Sequence, residues 1–151
     1  MTQGLETTVL LLSGPNLNLL GDREPEIYGT DTLADHVTTA THAGTQVGLH
    51  VEHHQSNHEG ALIEQIQHAR GRCAAIVINA GAFTHYSWAI HDALAAFDGP
   101  VVELHLSDPK TREEWRHVSV VEPLADAVVA GLGGDGYRVA IEKTKELLDA
   151  R

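Results

Sequence analysis

An arginine and a tyrosine stand five residues apart in the polar stretch that follows the first apolar run of the chain. Arg23 and Tyr28 lie between Gly21 and Gly29, and glycines allow the backbone to hinge. A tyrosine is a poor base at neutral pH because its ordinary pKa is about 10, but a nearby guanidinium favours the phenolate. The pair could therefore supply a base without a metal, a lysine or a cofactor. The spacing alone is compatible with an ordinary surface loop or with an active-site lid over about residues 20–30.

A histidine in an apolar run is the second candidate for chemistry. His105 lies within Val101–Leu106, and the Asp108-Pro109 pair that follows is typical of a helix N-terminus. His105 could exchange protons with a ligand, or it could be a hydrogen-bonded histidine of the core. The sequence around it leaves both possibilities open.

Other common chemistries lack their signatures. His53, His54 and His58 are close in the chain, but their spacing is not that of a zinc protease and no cysteine or carboxylate set completes a site. We therefore expect no metal. Gly131, Gly133 and Gly136 have the GxGxxG spacing, but no predicted strand precedes them, and we interpret this run as a turn. No GxxxxGK[ST] or GxSxG motif occurs, which disfavours phosphate-loop nucleotide binding and serine hydrolysis. None of the three lysines falls in a predicted strand, which disfavours Schiff-base chemistry.

Composition and charge narrow the partners and the compartment. A length of 151 residues suits one domain, residues 1–151, and a formal net charge of −11 disfavours nucleic-acid binding. No apolar run approaches the roughly 20 residues of a membrane span. The single cysteine, Cys73, allows no internal disulfide and suits a reducing compartment. We expect a cytoplasmic protein with no nucleic-acid partner and no membrane partner.

Short apolar runs alternate with amphipathic stretches along the chain. The runs predict strands over Thr8–Ser13, Gln46–His53, Ala74–Asn79, Val101–Leu106 and His117–Val121. The amphipathic stretches predict helices over Thr32–Ala43, His58–Arg70, Tyr86–Phe97 and Tyr137–Leu148. Because this alternation is typical of a parallel sheet, we predict an α/β fold: a flavodoxin-like, doubly wound, five-stranded parallel sheet in a single domain.

Ligands of such sheets bind beyond the carboxyl ends of the strands. Polar residues stand at these ends: Asn16 follows the first predicted strand, Asn79 and His85 the third, and His105 and Ser107 the fourth. We expect these side chains to meet at one rim of the sheet.

Four stretches together resemble one enzyme family. They are GPNLNLLGDREPEIYG from residue 14, QSNHEGALIEQI from residue 55, INAGAFTHYSWAIHDAL from residue 78 and VELHLSDPKTREEWRH from residue 102. In order and content they are similar to the motifs of the type II 3-dehydroquinate dehydratases, or 3-dehydroquinases. The resemblance covers roughly residues 8–148.

This resemblance implies a hydro-lyase of the shikimate pathway, which leads through chorismate to the aromatic amino acids. Such an enzyme converts 3-dehydroquinate to 3-dehydroshikimate and water by anti elimination through an enolate, with no metal and no organic cofactor. The resemblance also implies a homo-oligomer, a dodecamer of trimers. It leaves open a biosynthetic or a catabolic role, since quinate breakdown uses the same reaction.

The resemblance further assigns roles to residues of this sequence. Tyr28 would be the base that takes the proton alpha to the ketone, and Arg23 would stabilise the phenolate and the transition state. His105 would protonate the leaving hydroxyl, Glu103 would orient His105, and Asn16 would help to stabilise the enolate oxygen. The implied substrate-binding residues are Asn79, His85, Asp92, Leu106, Ser107 and Arg116. Of these, Asp92 would come from a neighbouring subunit, and Leu106 and Ser107 would act through backbone amides at a helix start.

Two interpretations compete with the dehydratase. One is a flavodoxin-like binding module for FMN or a regulatory small molecule, although Pro15 removes a backbone donor from the loop where a phosphate would sit. The other is a catalytically inactive relative, which the full set of implied site residues disfavours. Departures from the commoner family pattern are Ser13 for asparagine, Phe83 for tyrosine, and Asp108, which adds negative charge near the expected carboxylate site.

Overall fold

A computed structural model describes residues 7–151, so residues 1–6 of the predicted domain lie outside the described part. The strands are β1 Thr7–Ser13, β2 Leu49–Gln55, β3 Ala75–Asn79, β4 Val101–Leu104 and β5 Ala127–Val129. The α-helices are α1 Pro25–Tyr28, α2 Leu33–Val47, α3 Glu59–Ala69, α4 Trp88–Ala95 and α5 Asp135–Asp149. Short 3-10 helices cover Leu17–Leu19, Gly81–His85, Pro109–Thr111, Glu114–Arg116 and Glu122–Leu124.

The strands form one parallel sheet in the order β2-β1-β3-β4-β5. Helices α2 and α5 pack against one face of the sheet, and α3 and α4 pack against the other. Strand β1 serves both cores, because Val9 and Leu11 face α2 and α5 while Leu10 and Leu12 face α3 and α4. Burial on both faces explains why β1 is an unbroken apolar run in the sequence. The predicted flavodoxin-like doubly wound sheet is confirmed.

The predicted fifth strand is wrong. The segment His117–Val121 has the β-branched residues of a strand, but the edge strand is β5, Ala127–Val129, which pairs with β4. The backbone of the 117–121 segment is held by the loop beneath it, including a 2.8 Å hydrogen bond from the Val120 N–H to the Thr84 carbonyl. Its extended, partly apolar character therefore comes from packing over a loop rather than from a place in the sheet.

Boundaries differ from the prediction at several elements. Strand β2 begins and ends later than predicted, and α2 extends to Val47, where Gly48 takes the left-handed conformation with φ of 78°. Strand β4 ends at Leu104 rather than Leu106, so His105 lies just past the last ladder residue. Its N–H still donates to the Val129 carbonyl at 2.9 Å, which fixes its direction.

The described helices are amphipathic or short. Within residues 7–151, none combines the length and apolar character that a membrane crossing requires. The thiol of Cys73 is unpaired and buried.

A stacked histidine–tyrosine pair lies between α2 and α5. The rings of His36 and Tyr137 are parallel within 3°, with centroids 4.8 Å apart, and both side chains are almost fully buried. Burial lowers the pKa of His36, and the nearby carboxylates of Asp31 and Asp35 only partly oppose this shift. Burial also raises the pKa of Tyr137 to about 12. Both side chains are therefore uncharged in the folded protein at neutral pH.

Buried His36 should make the fold sensitive to acid. Because its pKa is lower in the folded than in the unfolded chain, the unfolded chain binds the proton first, and the free energy of unfolding should fall as the pH drops below about 6.5. His36→Phe keeps a ring against Tyr137. In this variant, denaturant titrations should show that the free energy of unfolding falls less steeply between about pH 6.5 and 5 than in the wild type. His42→Phe, on the exposed side of the same helix, is the control. A wild-type slope in His36→Phe would contradict this assignment.

Candidate active site

One cavity lies at the carboxyl ends of β1, β3 and β4. All but two of the predicted site residues line it: Asn16, Arg23, Tyr28, Asn79, His85, His105, Leu106, Ser107 and Arg116. Asp92 and Glu103 do not. Asp92 is exposed on α4, and Glu103 is buried on β4 against His105.

The loop after β1 is fixed by the end of β2. The Asn16 N–H donates to Asn57 Oδ1 at 2.9 Å, and Gln55 Nε2 donates to the Gly14 carbonyl at 3.1 Å. Asn16 itself takes the left-handed conformation with φ of 68°, which asparagine tolerates better than most residues. The side chains of Gln55 and Asn57 thus position the loop that carries Asn16.

Tyr28 is flanked by two guanidinium groups. Arg112 Nη1 donates a 2.7 Å hydrogen bond to the Tyr28 hydroxyl, and its guanidinium carbon lies 5.1 Å from the ring centroid. The guanidinium carbon of Arg23 lies 4.8 Å from the same centroid. Positive charge therefore lies both over the ring and at the oxygen.

His105 is paired with a buried carboxylate. Its Nε2 lies 2.5 Å from Glu103 Oε2, and the same oxygen accepts a 2.9 Å hydrogen bond from the Ser119 hydroxyl. The side chain of Glu103 is only 3% exposed and that of His105 only 10%. This contact fixes the imidazole ring at the wall of the cavity.

His85 and Arg116 form the outer wall. Because a carbonyl can only accept, His85 Nδ1 donates its hydrogen to the Val118 carbonyl at 2.7 Å, which leaves Nε2 as the acceptor. Burial lowers the pKa of His85, which favours this neutral form. Arg116 stacks on Trp115, with its guanidinium carbon 4.0 Å from the ring centroid, and its Nε is bound by Glu113 at 3.0 Å.

Possible metal ligands are scattered. Among residues 7–151, no three His, Cys, Asp or Glu side chains come together as a metal ion would require. In particular, His53 faces the Ser13 hydroxyl at 2.9 Å, and burial lowers its pKa.

Comparison with known proteins gives the family. The family model for dehydroquinase class II matches residues 7–145. The 3-dehydroquinate dehydratase 2 of Pseudomonas putida is 51% identical over 147 residues, which are 97% of this chain and 99% of that protein. A catabolic 3-dehydroquinase of Verticillium alfalfae is 54% identical over 134 residues, 89% of each chain. The chain belongs to the class II dehydroquinase family.

Solved structures of class II, or type II, dehydroquinases share the fold. The crystal structure from Butyrivibrio crossotus has a TM-score of 0.89 and 43% identity, and the match covers 92% of this chain and 97% of that one. The structure from Propionibacterium acnes has a TM-score of 0.90 and 39% identity, with coverage of 94% and 98%. Family membership over almost the whole chain makes this protein an enzyme.

Arg112 belongs to this dehydroquinase site but is not among the residues predicted for it. The residue lies in the VELHLSDPKTREEWRH stretch, and of the two arginines in that stretch only Arg116 was assigned to the site. Arg112 is 84 residues from Tyr28 in the chain, so no local spacing signals their contact. Its Nη1 also lies 3.3 Å from the Ser107 hydroxyl, which ties the Tyr28 loop to the end of β4.

The helix start expected beside the substrate carboxylate is a single 3-10 turn. Pro109–Thr111 is a 3-10 helix of three residues, so it contributes little helix dipole. Asp108 caps it, accepting from the Lys110 N–H at 3.0 Å. Asp108 lines a second cavity, called here the rear cavity, which shares His85, His105, Pro109 and Arg116 with the cavity at Tyr28. Asp108 itself is not among the residues that line the cavity at Tyr28.

Gly14 lets the loops of this dehydroquinase site pack closely. A Cβ at Gly14 would lie 2.5 Å from the Ala80 carbonyl oxygen, which is backbone and cannot move aside cheaply. We expect Gly14→Ala to lower the free energy of unfolding by about 1–3 kcal/mol in denaturant titrations. Gly60→Ala is the matched control, since a Cβ there meets nothing within 4 Å, and it should not destabilise the protein. Equal effects at the two positions would contradict the close-packing argument.

Proposed function

We propose that this dehydroquinase converts 3-dehydroquinate to 3-dehydroshikimate and water by anti elimination through an enolate. The observation that carries the proposal is the Tyr28 hydroxyl, bound by Arg112 at 2.7 Å, in the same cavity as His105. An elimination needs a base and an acid that reach one substrate, and this cavity offers both. The P. putida relative has the activity in its name, 3-dehydroquinate dehydratase 2.

Tyr28 is the proposed base. As a phenolate it takes the proton alpha to the ketone, and the electron pair of the broken C–H bond moves into the carbonyl to form the enolate. Arg112 donates to the phenolate oxygen, whereas Arg23 lies over the ring. We therefore assign the larger share of phenolate stabilisation to Arg112, and to Arg23 the stabilisation of negative charge as it moves onto substrate.

His105 is the proposed acid. As the enolate collapses, the bond to the departing hydroxyl breaks and that oxygen takes a proton to leave as water. Since Nε2 of His105 is bound to Glu103, Nδ1 is the nitrogen that donates. Asn16 supports the enolate oxygen, directly or through a water that it orients.

Local cations and polar groups hold the substrate carboxylate and hydroxyls. The formal net charge of −11 repels an anion, so Arg23, Arg112 and Arg116 must outweigh it locally. His85 Nε2 can accept from a substrate hydroxyl because Nδ1 carries the hydrogen. Asn79 and the backbone of Leu106 and Ser107 complete the proposed binding set.

Residues 20–30 form the proposed lid of the single catalytic domain. Tyr28 ends the one-turn helix α1 within this segment, and glycines flank it. Gly21 has φ of 100° and Gly29 has φ of 84°, conformations that glycine adopts with little strain. Opening at these two hinges would move Arg23 and Tyr28 together.

The direct test of the proposed function is an assay for product. Chelator-treated protein is mixed with 3-dehydroquinate, and the ultraviolet absorbance of the conjugated enone is followed. We expect product without added metal or cofactor. Folded protein that forms no enone would contradict the proposal, and flavin absorbance in the purified protein would favour the binding-module alternative.

Loss of the Tyr28 hydroxyl should remove most turnover. In Tyr28→Phe we expect kcat to fall by about 10²–10⁴-fold, with a much smaller change in KM, because the base is lost while the binding groups remain. Tyr86→Phe, at a side chain that is 60% exposed, is the control and should keep wild-type kcat. A Tyr28→Phe enzyme within a few-fold of wild-type kcat would exclude Tyr28 as the base.

We also propose that the active form is a homo-oligomer, a dodecamer of trimers. The side chains of Trp88, Trp115 and Val118 are between 52% and 63% exposed, which is typical of a surface that another protein covers. Trp88 and Asp92 lie one turn apart on α4 and so share a face. A neighbouring copy that packs against Trp88 would therefore meet Asp92 as well, which fits the proposed entry of Asp92 into that copy's site.

A charge at Trp88 should break this assembly. Trp88→Glu should give smaller particles by light scattering and lower kcat/KM, because each site would lose the Asp92 of its neighbour. Asp92→Asn should keep the wild-type particle size and still lower kcat/KM. A wild-type monomer with full activity would contradict both expectations.

The proposed reaction serves the shikimate pathway, and the same reaction in the same direction serves quinate breakdown. Relatives with about half of their residues identical include a 3-dehydroquinate dehydratase, at 51%, and a catabolic 3-dehydroquinase, at 54%. The same site chemistry suits both roles. We propose a cytosolic location, in keeping with the unpaired thiol of Cys73.

A further inference from the structure

The segment His117–Val121, called here the strap, crosses the loop after β3 and passes beside the Glu103–His105 pair. Three contacts hold it there. The Val120 N–H donates to the Thr84 carbonyl at 2.8 Å, and the ring nitrogens of His85 and His91 donate to the carbonyls of residues 118 and 120, each at 2.7 Å. The strap therefore has a fixed path, and that path brings the Ser119 side chain to Glu103.

The hydroxyl hydrogen of Ser119 has one direction available. Ser119 Oγ accepts from the Val121 N–H at 3.2 Å and from the Glu122 N–H at 3.0 Å. With both lone pairs engaged by donors, the O–H must donate, and Glu103 Oε2 lies 2.9 Å away. Two amides that donate to the oxygen also polarise the O–H and strengthen it as a donor.

Glu103 Oε2 therefore receives hydrogen bonds rather than carrying a proton. It lies within reach of Ser119 and of His105 Nε2. When Ser119 donates to this oxygen, the proton shared with His105 is favoured on the imidazole, which then donates in turn. This geometry favours a carboxylate that accepts from a protonated ring nitrogen over a carboxylic acid that donates to an unprotonated one.

The second carboxylate oxygen of Glu103 lies beside a cavity that is large enough for water. Glu103 Oε1 and Thr84 Oγ1 are buried and have no hydrogen-bond partner among the described residues. Both residues line the rear cavity, which has a volume of about 230 Å³, room for several waters at roughly 30 Å³ each. Water there would complete the solvation of the anion.

We propose that Ser119 is a positioning residue that keeps the proton of the Glu103–His105 pair on His105. The inference rests on the proposed role of His105 as the acid of the dehydration. An imidazolium gives up a proton far more readily than a neutral imidazole, so the location of this proton sets the strength of the acid. After Nδ1 gives its proton to the leaving hydroxyl, the neutral ring keeps the hydrogen on Nε2, which still donates to Glu103. Nδ1 then regains a proton from water in the active site.

Other ionisable groups surround the pair and act on it in the wild type and the variants alike. They line the rear cavity and are His85, Asp108, Lys110, Arg116, His117 and Glu122. A substitution at Ser119 changes none of these groups. A difference between the wild type and a Ser119 variant therefore reports the loss of the Ser119 hydroxyl.

Ser119→Ala tests the donor, and Ser119→Thr keeps a hydroxyl. In Ser119→Ala we expect kcat to fall about 10-fold with KM nearly unchanged, since a smaller fraction of His105 carries the proton while the imidazole itself remains in place. The alkaline limb of the kcat profile should move to lower pH by about one unit, the size expected when a charged group loses one hydrogen bond. Ser119→Thr should restore both values. A lower kcat with an unmoved pH profile, or no rescue by threonine, would overturn the proposal.

Two further measurements separate this role from structure and from the overall function. Ser56→Ala removes a similar serine cap, on the His58 N–H at 3.0 Å, and should leave the pH profile unchanged. The ¹⁵N NMR titration of His105, assigned by His105→Gln, reports its protonation without any turnover. It should move to lower pH in Ser119→Ala even if 3-dehydroquinate proves not to be the substrate, and an unmoved titration would reject the inference. Ser119→Cys, with a weaker donor of similar size, replaces Ser119→Ala if that variant does not fold.

Discussion

The contact of one phenol with two guanidinium groups is the constraint on which the rest of the site depends. A phenol becomes a useful base only where positive charge stabilises its anion, and here that charge must be gathered in a chain with a formal net charge of −11. Arg23 comes from the same loop as Tyr28, but Arg112 comes from beyond β4. The proposed base therefore depends on bringing together the carboxyl ends of distant strands.

The register of the parallel sheet brings these strand ends together. Ser13 pairs with Asn79, and Ile78 pairs with Glu103, so β1, β3 and β4 end side by side. The close approach of Gly14 to Ala80 then lets the first loop lie against the third. Tyr28, the proposed base, follows the first strand of this row, and His105, the proposed acid, follows the last. Glu103 contacts His105 and is itself bound by Ser119, whereas Arg23 and Arg112 contact Tyr28.

The sequence was sufficient for features with a local or periodic signal. The apolar run of β1 and the amphipathic helices α3 and α5 predicted the layers correctly, because burial on one or two faces leaves a visible pattern. Strand β5 has three residues, too few for such a pattern, and His117–Val121 resembled a strand because loop packing also favours β-branched side chains. Residue type and position after the strands pointed to several of the site residues, but their roles could be assigned only through the motif resemblance. The contacts of Arg112 with Tyr28 and of Ser119 with Glu103 are long-range contacts that no spacing encodes.

The most direct test of the central claim is an ultraviolet difference titration of tyrosinate in the free enzyme. The chain has three tyrosines, and burial raises the pKa of Tyr137 to about 12, so Tyr137 stays silent near neutral pH. The spectrum of wild type minus Tyr28→Phe should show phenolate well below about pH 10, the range of an ordinary tyrosine, and the same signal should be lost in Arg112→Met. A Tyr28 signal that first appears near pH 10, and that is indifferent to Arg112, would contradict the account.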